Sequence, residues 1–382
     1  MNGNLDILNT LLSIDLVRRA IRRYFNYRGY NPETLEYIKR MVTPRRLLNF
    51  ISYLFAHRFG IFIFEHQPPA VEIEIVRGCN FRCLMCHAWN FKVKYLSFDQ
   101  VKQILKYFTD SLIFRPFGIG EPFLNKDIYK ITSFASFNLN FLVEIASNFS
   151  VIDVQKALDM GAYEIRASID SINKDKFYKI RGGNFDRVKR NLQEILEAKR
   201  KRGKKYPIIS ISTVISDLNL DEICDILDFG ISLGIRKFHL LPVMEGKLLS
   251  GLGGLSLEDI LKLNVKVRDK LKRYKGLRIK FLSLRGDILG YEPGGYCNMA
   301  FFPIVDFEGN IYPCCKVLGE KSASFGNIFS EPKKALKNRN MFLRKFRTSP
   351  PEFCKSCDLY YRKTNVSFYK NRLEKLIYYK IF

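Results

Sequence analysis

Acidic residues are scarce in this chain. Its 382 residues hold 38 Asp and Glu against 63 Lys and Arg, a formal net charge of +25. Such an imbalance points to an anionic partner: nucleic acid, an anionic membrane surface, a phosphorylated substrate or an acidic protein. It equally describes a basic surface with no specific partner, because bulk charge governs solubility and non-specific binding rather than fold. Long apolar runs are missing too. The best one, Leu47 to Phe64, is interrupted by His57 and Arg58, and is too short and too charged to cross a bilayer. It can lie on a membrane surface or pack on a neighbouring domain. There is no internal repeat and no motif of an RNA-binding fold, so no specific nucleic acid is expected despite 32 Phe and 20 Tyr. The opening residues, Met1 to Asp6, lack the basic start and apolar core of a secretion signal. A cytoplasmic location is expected, with peripheral membrane contact at the inner face left open. What is present is a good supply of core: 47% apolar residues, enough for one large domain and a smaller one.

Residues 1–68 are helical in pattern, with Arg18, Arg19, Arg22 and Arg23 punctuating an apolar stripe and breaks at Pro44 and Pro68-Pro69. This is a basic N-terminal extension, and packing against the main domain is favoured over membrane-surface binding. It lacks the strand-rich pattern of a leader-peptide-binding module. From Ala70 onward the pattern alternates. Strands are expected at Ala70–Val76, Leu112–Phe117, Phe141–Ala146, Glu164–Ile169, Ile208–Ile215 and Lys237–Pro242. Helices are expected at Ser97–Phe108, Lys126–Ser136, Val151–Met160, Phe185–Lys199 and Leu220–Leu233. Six strands alternating with helices argue for a parallel sheet, in a barrel or doubly wound. Either architecture binds its ligand at the carboxyl ends of the strands. Residues 244–290 hold a glycine-rich connection (Gly251, Gly253, Gly254), a helix Leu257–Leu271 and a short strand near Ile279. Residues 291–363 break the rhythm and carry five cysteines, and 364–382 form a basic, aromatic tail.

Eight of the nine cysteines lie in local groups, and only Cys224 stands alone, in a helical pattern that makes it a core residue. Reduced, clustered cysteines point to metal or catalysis. The first group is Gly78-Cys79-Asn80-Phe81-Arg82-Cys83-Leu84-Met85-Cys86, directly after the first strand. Three thiolates on a short loop leave one iron of a 4Fe–4S cluster open for a further ligand. Zinc competes poorly there: a structural site wants four ligands, and the nearest candidate, His87, is directly adjacent to Cys86. The second group comprises Cys297, Cys314-Cys315 and the pair Cys354/Cys357, with Gly309 marking a β-hairpin that returns Cys314 towards Cys297. Four thiolates can close an iron–sulfur cluster, and spacing alone fits zinc equally well.

The first loop, placed after the first strand of a βα series, resembles the CxxxCxxC motif of the radical S-adenosylmethionine (SAM) superfamily. The resemblance implies a partial (β/α)6 TIM-like barrel over residues 69–290. It also implies that Cys79, Cys83 and Cys86 hold a 4Fe–4S cluster whose fourth iron is chelated by SAM. Met85 stands where an aromatic residue is frequent. Phe117-Gly118-Ile119-Gly120-Glu121-Pro122 is similar to the family's Gly-Gly-Glu-Pro element, which receives the SAM amino group. Glycines there let backbone approach closely, and a carbonyl or carboxylate can accept from an ammonium. Ala167-Ser168-Ile169-Asp170 and the later Ile180-Arg181-Gly182-Gly183 resemble the stretches that contact the SAM ribose and carboxylate, and Asn148 matches a position often held by Asn. Thus Gly118, Gly120, Glu121, Asn148, Ser168, Asp170 and Arg181 are the expected cofactor-binding residues. The family's glycine-isoleucine-glycine element is not visible in Ser212-Thr213-Val214-Ile215, which leaves the adenine side unassigned.

The second group resembles the SPASM/twitch domain that follows such barrels, which implies a cysteine-rich domain over residues 291–363. Its implied ligands are Cys297, Cys314, Cys354 and Cys357, around one auxiliary 4Fe–4S cluster. No cysteine follows Cys357, so the shorter twitch type is expected. The activity implied is reductive cleavage of SAM to a 5′-deoxyadenosyl radical that abstracts hydrogen from a substrate the sequence does not name. Its electron comes from a one-electron reductant such as a ferredoxin or flavodoxin, and the basic ends of the chain favour an anionic or membrane-associated substrate. The other class of function kept open is an iron–sulfur electron-transfer or scaffold protein derived from the family.

Overall fold

The computed structural model describes residues 43–62, 65–243, 257–274, 276–281, 292–293, 297–346, 348–355, 357 and 361–362. The expectations for the arginine-rich start, the glycine-rich connection and the aromatic tail after residue 362 lie outside these residues.

The β-branched runs form seven parallel strands: β1 (Ala70–Ile73), β2 (Ile113–Arg115), β3 (Leu142–Ser147), β4 (Glu164–Ser168), β5 (Ile208–Ile215), β6 (Lys237–Pro242) and β7 (Arg278–Phe281). Their near-continuous Val and Ile content suits strands covered on both faces. A hairpin of β8 (Ile304–Val305) and β9 (Ile311–Tyr312) adds to the other edge, β8 running parallel to β1. The order is β9-β8-β1-β2-β3-β4-β5-β6-β7, with no bond between the two outer strands. The sheet is therefore a partial barrel, six strands as expected and a seventh where a short strand was placed near Ile279. The cysteine-rich segment does not stand apart from it, because its hairpin continues the same sheet.

Crossovers are supplied by α2 (Phe98–Leu105), α3 (Ile128–Ser133), α4 (Val154–Asp159), α5 (Lys174–Arg181), α6 (Phe185–Lys201) and α7 (Ile223–Ser232), while α8 (Leu257–Arg273) precedes β7; all follow α1 (Pro44–Phe59). Ser97 starts α2 with a reciprocal capping box to Gln100. The helix α5 has no counterpart in the sequence reading. It is a single short element, capped by Asn173 and closed by Gly182 in the left-handed region, and it carries Arg181. Proline opens α1, behind the cap Thr43. The buried Arg46 guanidinium of α1 donates to the carbonyls of Thr109, Leu139 and Asn140. This part of the extension therefore packs on the barrel. Among the described residues no helix is long and apolar enough to cross a membrane.

Buried charged residues on neighbouring strands form a ladder of alternating charge. Arg115 reaches Glu72 at 2.9 Å and Glu144 at 2.8 Å. Arg166 reaches Glu144 at 2.8 Å. Glu164 takes Lys237 and His239, each at 2.7 Å, and the Ser210 hydroxyl at 2.6 Å. Burial, with Arg166 and Lys237 nearby, pulls His239 down to about 4, so its ring is neutral. Burial disfavours the Glu144 carboxylate, but Arg166 and Arg115 outweigh it and hold the group well below the usual range. Three acidic side chains thus alternate with three basic ones along the ladder.

Candidate functional site

The cysteine loop leaves β1 and is clamped from two sides. On one side Gly78 N–H donates to Ile119 O at 2.9 Å and Glu121 N–H donates to Gly78 O at 3.2 Å. This approach requires glycine: a Cβ on Gly120 would stand 2.3 Å from Val76 O, and one on Gly118 2.5 Å from the Glu74 Cβ. On the other side Arg82 N–H donates to Arg181 O and Leu84 N–H to Ile180 O. A Cβ on Gly183 would enter the Phe81 ring at 2.3 Å. Three segments spread over about 100 residues of sequence are therefore laced together around the loop.

The thiols meet within this frame. Cys83 is buried, and Cys79 and Cys86 are half-buried. Burial pushes Cys79 up to about 11, with Glu121 and Cys86 adding to it, and Cys83 up to about 12, with Asp170, Cys79 and Cys86 adding to it. Metal must displace those protons. The surroundings favour that outcome: Phe81 N–H points at Cys79 Sγ at 3.4 Å, Ala88 N–H at Cys86 Sγ at 3.4 Å, and the Arg181 guanidinium at Cys83 Sγ at 4.0 Å. A buried cation and two amides directed at sulfur suit an anionic, electron-rich thiolate group.

The other expected residues divide into those facing the site and those standing behind it. Asn148 faces it, its Nδ2 3.7 Å from Cys79 Sγ and 2.9 Å from Asn80 Oδ1. Ser168 ends β4 half-buried, in register with Ser212 of β5. Glu121 does not present its carboxylate. It is buried, with Oε1 accepting from the Ser147 hydroxyl and Phe123 N–H and Oε2 from Asn148 N–H. Burial raises Glu121 to about 7 against those hydrogen bonds. Asp170 is similarly occupied: Oδ1 accepts from Val214 N–H at 2.7 Å and Oδ2 pairs with Arg181 Nε at 2.7 Å. The sequence reading placed Asp170 and Arg181 as separate contacts; the structure joins them into one chain ending at Cys83.

Glu74 was missed. It is fully buried beyond β1, accepting from Ile119 N–H, Phe307 N–H and Arg77. It therefore ties the glycine loop to the cysteine-rich segment. Its signal was a second acid in the apolar run Val71-Glu72-Ile73-Glu74-Ile75, where a buried carboxylate must have fixed partners.

The second group also converges. Cys297, Cys314, Cys315, Cys354 and Cys357 line one cavity walled by Phe342, Phe346 and Val317. Gly309 closes the expected hairpin in the left-handed region, with Asp306 Oδ1 accepting from Glu308 and Asn310 N–H. Burial raises Cys354 to about 12, and the neighbours that push it further are Cys297, Cys314 and Cys357. Cys315 is held up at about 12 by burial, then by Glu72 and Cys314. Cys224 is half-buried on α7, at the rim of the core rather than inside it.

Comparison with known proteins fits this geometry. The family model for the Radical SAM superfamily matches residues 73–230, and that for an iron–sulfur cluster-binding domain, SPASM, matches residues 297–358. The chain belongs to the radical SAM superfamily. It is a radical SAM enzyme whose cofactors are SAM and iron–sulfur clusters of the barrel and the SPASM domain, and such enzymes need a reductant and a substrate. A GTP 3′,8-cyclase of Clostridium botulinum is 25% identical over 265 residues, covering 64% of this chain and 80% of that protein. An AdoMet-dependent heme synthase of Methanosarcina barkeri is 23% identical over 326 residues, covering 77% of this chain and 88% of that one. Streptococcus suis SuiB bound to S-adenosylmethionine shares the fold with a TM-score of 0.65 at 20% identity, covering 93% of this chain and 83% of that one. The spacing of the second cysteine group left zinc open; the match to an iron–sulfur domain closes that option.

Proposed function

We propose that Cys79, Cys83 and Cys86 hold the SAM-binding 4Fe–4S cluster and that Cys297, Cys314, Cys354 and Cys357 hold the auxiliary one. The observation that carries the first assignment is the double clamp on the cysteine loop, which brings the glycine loop and Arg181 to the same three thiols. For the second, Cys297, Cys314, Cys354 and Cys357 line one cavity, and Cys314 rather than Cys315 stands at the family's spacing after Gly309. The backbone of Gly118 to Gly120, with Asn148 and Ser168, lines the SAM pocket. Glu121, Asp170 and Arg181 are positioning residues: Glu121 fixes the end of β3, and Asp170 orients Arg181 towards Cys83. We place the division of labour at residues 69–290 for the barrel and 291–363 for the auxiliary domain. When loaded and reduced by a ferredoxin- or flavodoxin-class donor, the first cluster supplies the electron that splits SAM into methionine and a 5′-deoxyadenosyl radical. The chain's own part is to hold, shield and orient. A peptide is one substrate class compatible with this fold: SuiB has been solved with its precursor peptide SuiA.

The test is 5′-deoxyadenosine formed from SAM by anaerobically reconstituted, dithionite-reduced protein, beside Cys79/Cys83/Cys86→Ala. Production by the wild type alone is expected; equal production by both would remove the ligand assignment.

Glu121 gives a second expectation. Its pKa is raised in the folded protein, to about 7, so the folded state binds a proton that the unfolded state, with an ordinary carboxyl near ~4.3, has released. Stability from this group is present below that ordinary value and is lost as pH rises to about 7. Denaturation midpoints of the wild type should therefore fall relative to Glu121→Gln between about pH 4 and 7. A constant difference across that range would exclude the shift.

A further inference from the structure

The residues that follow the cysteine loop form an exposed surface whose composition is that of an interface. Residues 89–95, Trp89-Asn90-Phe91-Lys92-Val93-Lys94-Tyr95, are exposed without a break. Four of them are large apolar residues on alternate positions: Trp89 is 37% exposed, Phe91 38%, Val93 42% and Tyr95 60%. Single exposed apolar side chains are ordinary, whereas a contiguous patch marks an interaction site. The charge is one-sided. From Ile75 to Phe98 there is no acidic residue, while Arg77, Arg82, Lys92 and Lys94 are present. Among the described residues Arg82, Lys92 and Lys94 have no carboxylate partner; Arg82 lies over the Trp89 ring and Lys94 over the Phe307 ring. Aromatic residues interleaved with cations are the composition of protein interfaces, and like charges on one partner steer an oppositely charged one.

The patch also lies next to the thiols. Ala88 N–H donates to Cys86 Sγ, and Ala88 is the buried neighbour of Trp89 on the same short helix. The inner contacts of the cysteine loop go to Gly120, Asn148 and Arg181, which leaves this exposed segment as its outward continuation. We propose that Trp89, Phe91, Tyr95, Lys92 and Lys94 form the docking surface for an acidic one-electron carrier protein that delivers the electron to the Cys79/Cys83/Cys86 site. The proposal rests on the cluster assignment above and adds the place and chemistry of the donor's contact.

The experiment follows reduction of the reconstituted protein's cluster by absorbance after mixing with a reduced flavodoxin, for the wild type, Lys92→Glu/Lys94→Glu and Trp89→Ala. Dithionite, a small reductant that needs no docking, is the parallel arm. The expected result is a second-order rate constant at least about tenfold lower for the charge-reversed protein at low salt, with the difference collapsing at high salt and dithionite reduction unchanged. Trp89→Ala should slow the carrier at all salt concentrations. Carrier rates equal to wild type would overturn the proposal, as would equal slowing by dithionite, which would locate the damage in the loop itself. Loss of binding to phosphatidylglycerol vesicles with an unchanged carrier rate would make the patch a membrane contact and overturn it too. The readout is cluster reduction, so the result stands apart from SAM cleavage, on which the parent reading depends.

Discussion

Replacing Arg115 by methionine is expected to destabilise the protein by about 3–5 kcal/mol, because it leaves Glu72 and Glu144 buried without their shared cation. That is a large part of the roughly 5–15 kcal/mol that holds a domain together. The ladder makes the effect local in cause and wide in consequence. Glu144 keeps Arg166, but Arg166 is already shared with Glu164 at 3.5 Å, so no spare cation exists to replace the lost one. The informative comparison is Arg339. This residue of α9 (Pro332–Lys345) is only 1% exposed, donates from Nη1 to His66 O and Asn340 Oδ1, and leaves Nε and Nη2 without partners. Burial with no carboxylate to offset it pulls its pKa down to about 9. Arg339→Met should therefore cost little or raise stability, by up to about 4 kcal/mol. Urea denaturation of the reconstituted proteins reads both. Equal losses at Arg115 and Arg339 would mean that pairing is not what decides the cost of these buried cations.

Asp170→Asn is the second large effect. The amide keeps the acceptor for Val214 N–H but removes the charge that holds Arg181 at 2.7 Å. Arg181 is then a buried cation anchored only by its approach to Cys83 Sγ. Loss of such an outer partner typically costs about 10–100-fold in metal affinity or activity. A fall of that size in iron retention under a chelator challenge is expected, together with a higher reduction potential of the first cluster by EPR-monitored titration, because the Arg181 charge beside Cys83 is no longer offset. A normal potential with normal iron retention would reduce Asp170 to a fold-stabilising residue.

The sequence revealed the parts of the fold that repeat, and it was poorer on the parts that occur once. Strands β1 to β6 were legible because each is a short β-branched run followed by a capped helix. The carboxylates within those strands were visible as letters, but their pairing was not. The ladder depends on register between strands whose paired residues lie up to 75 positions apart, and a single sequence carries no register. Helix α5 was overlooked because Lys174–Arg181 is one charged segment between two turns, with little apolar periodicity to announce it. At the site, the cysteines and glycines were named from spacing and resemblance. Glu121 and Asp170 were read as ligand contacts from the motifs in which they stand. Their burial, and the three donors that saturate Glu121, belong to the tertiary structure alone.

The edge on which β8 settles has a meaning for how the protein is made. Strand β1 takes its partner on one side from β2 and on the other from β8, more than 200 residues later: Glu72 is in register with Ile304, and Glu74 accepts from Phe307 N–H. During synthesis, every strand of the barrel therefore leaves the ribosome before the strand that seals its first edge. Until then the segment that leads directly into the cysteine loop offers open amides and carbonyls to any passing strand. A chain stopped at residue 290 should accordingly partition into aggregates, while the full chain stays dispersed; finding both dispersed would show that β1 is sheltered by other means. The auxiliary segment then acts as an intramolecular chaperone for the segment that feeds the first cluster, and it takes up that work only once the hairpin of β8 and β9 has emerged.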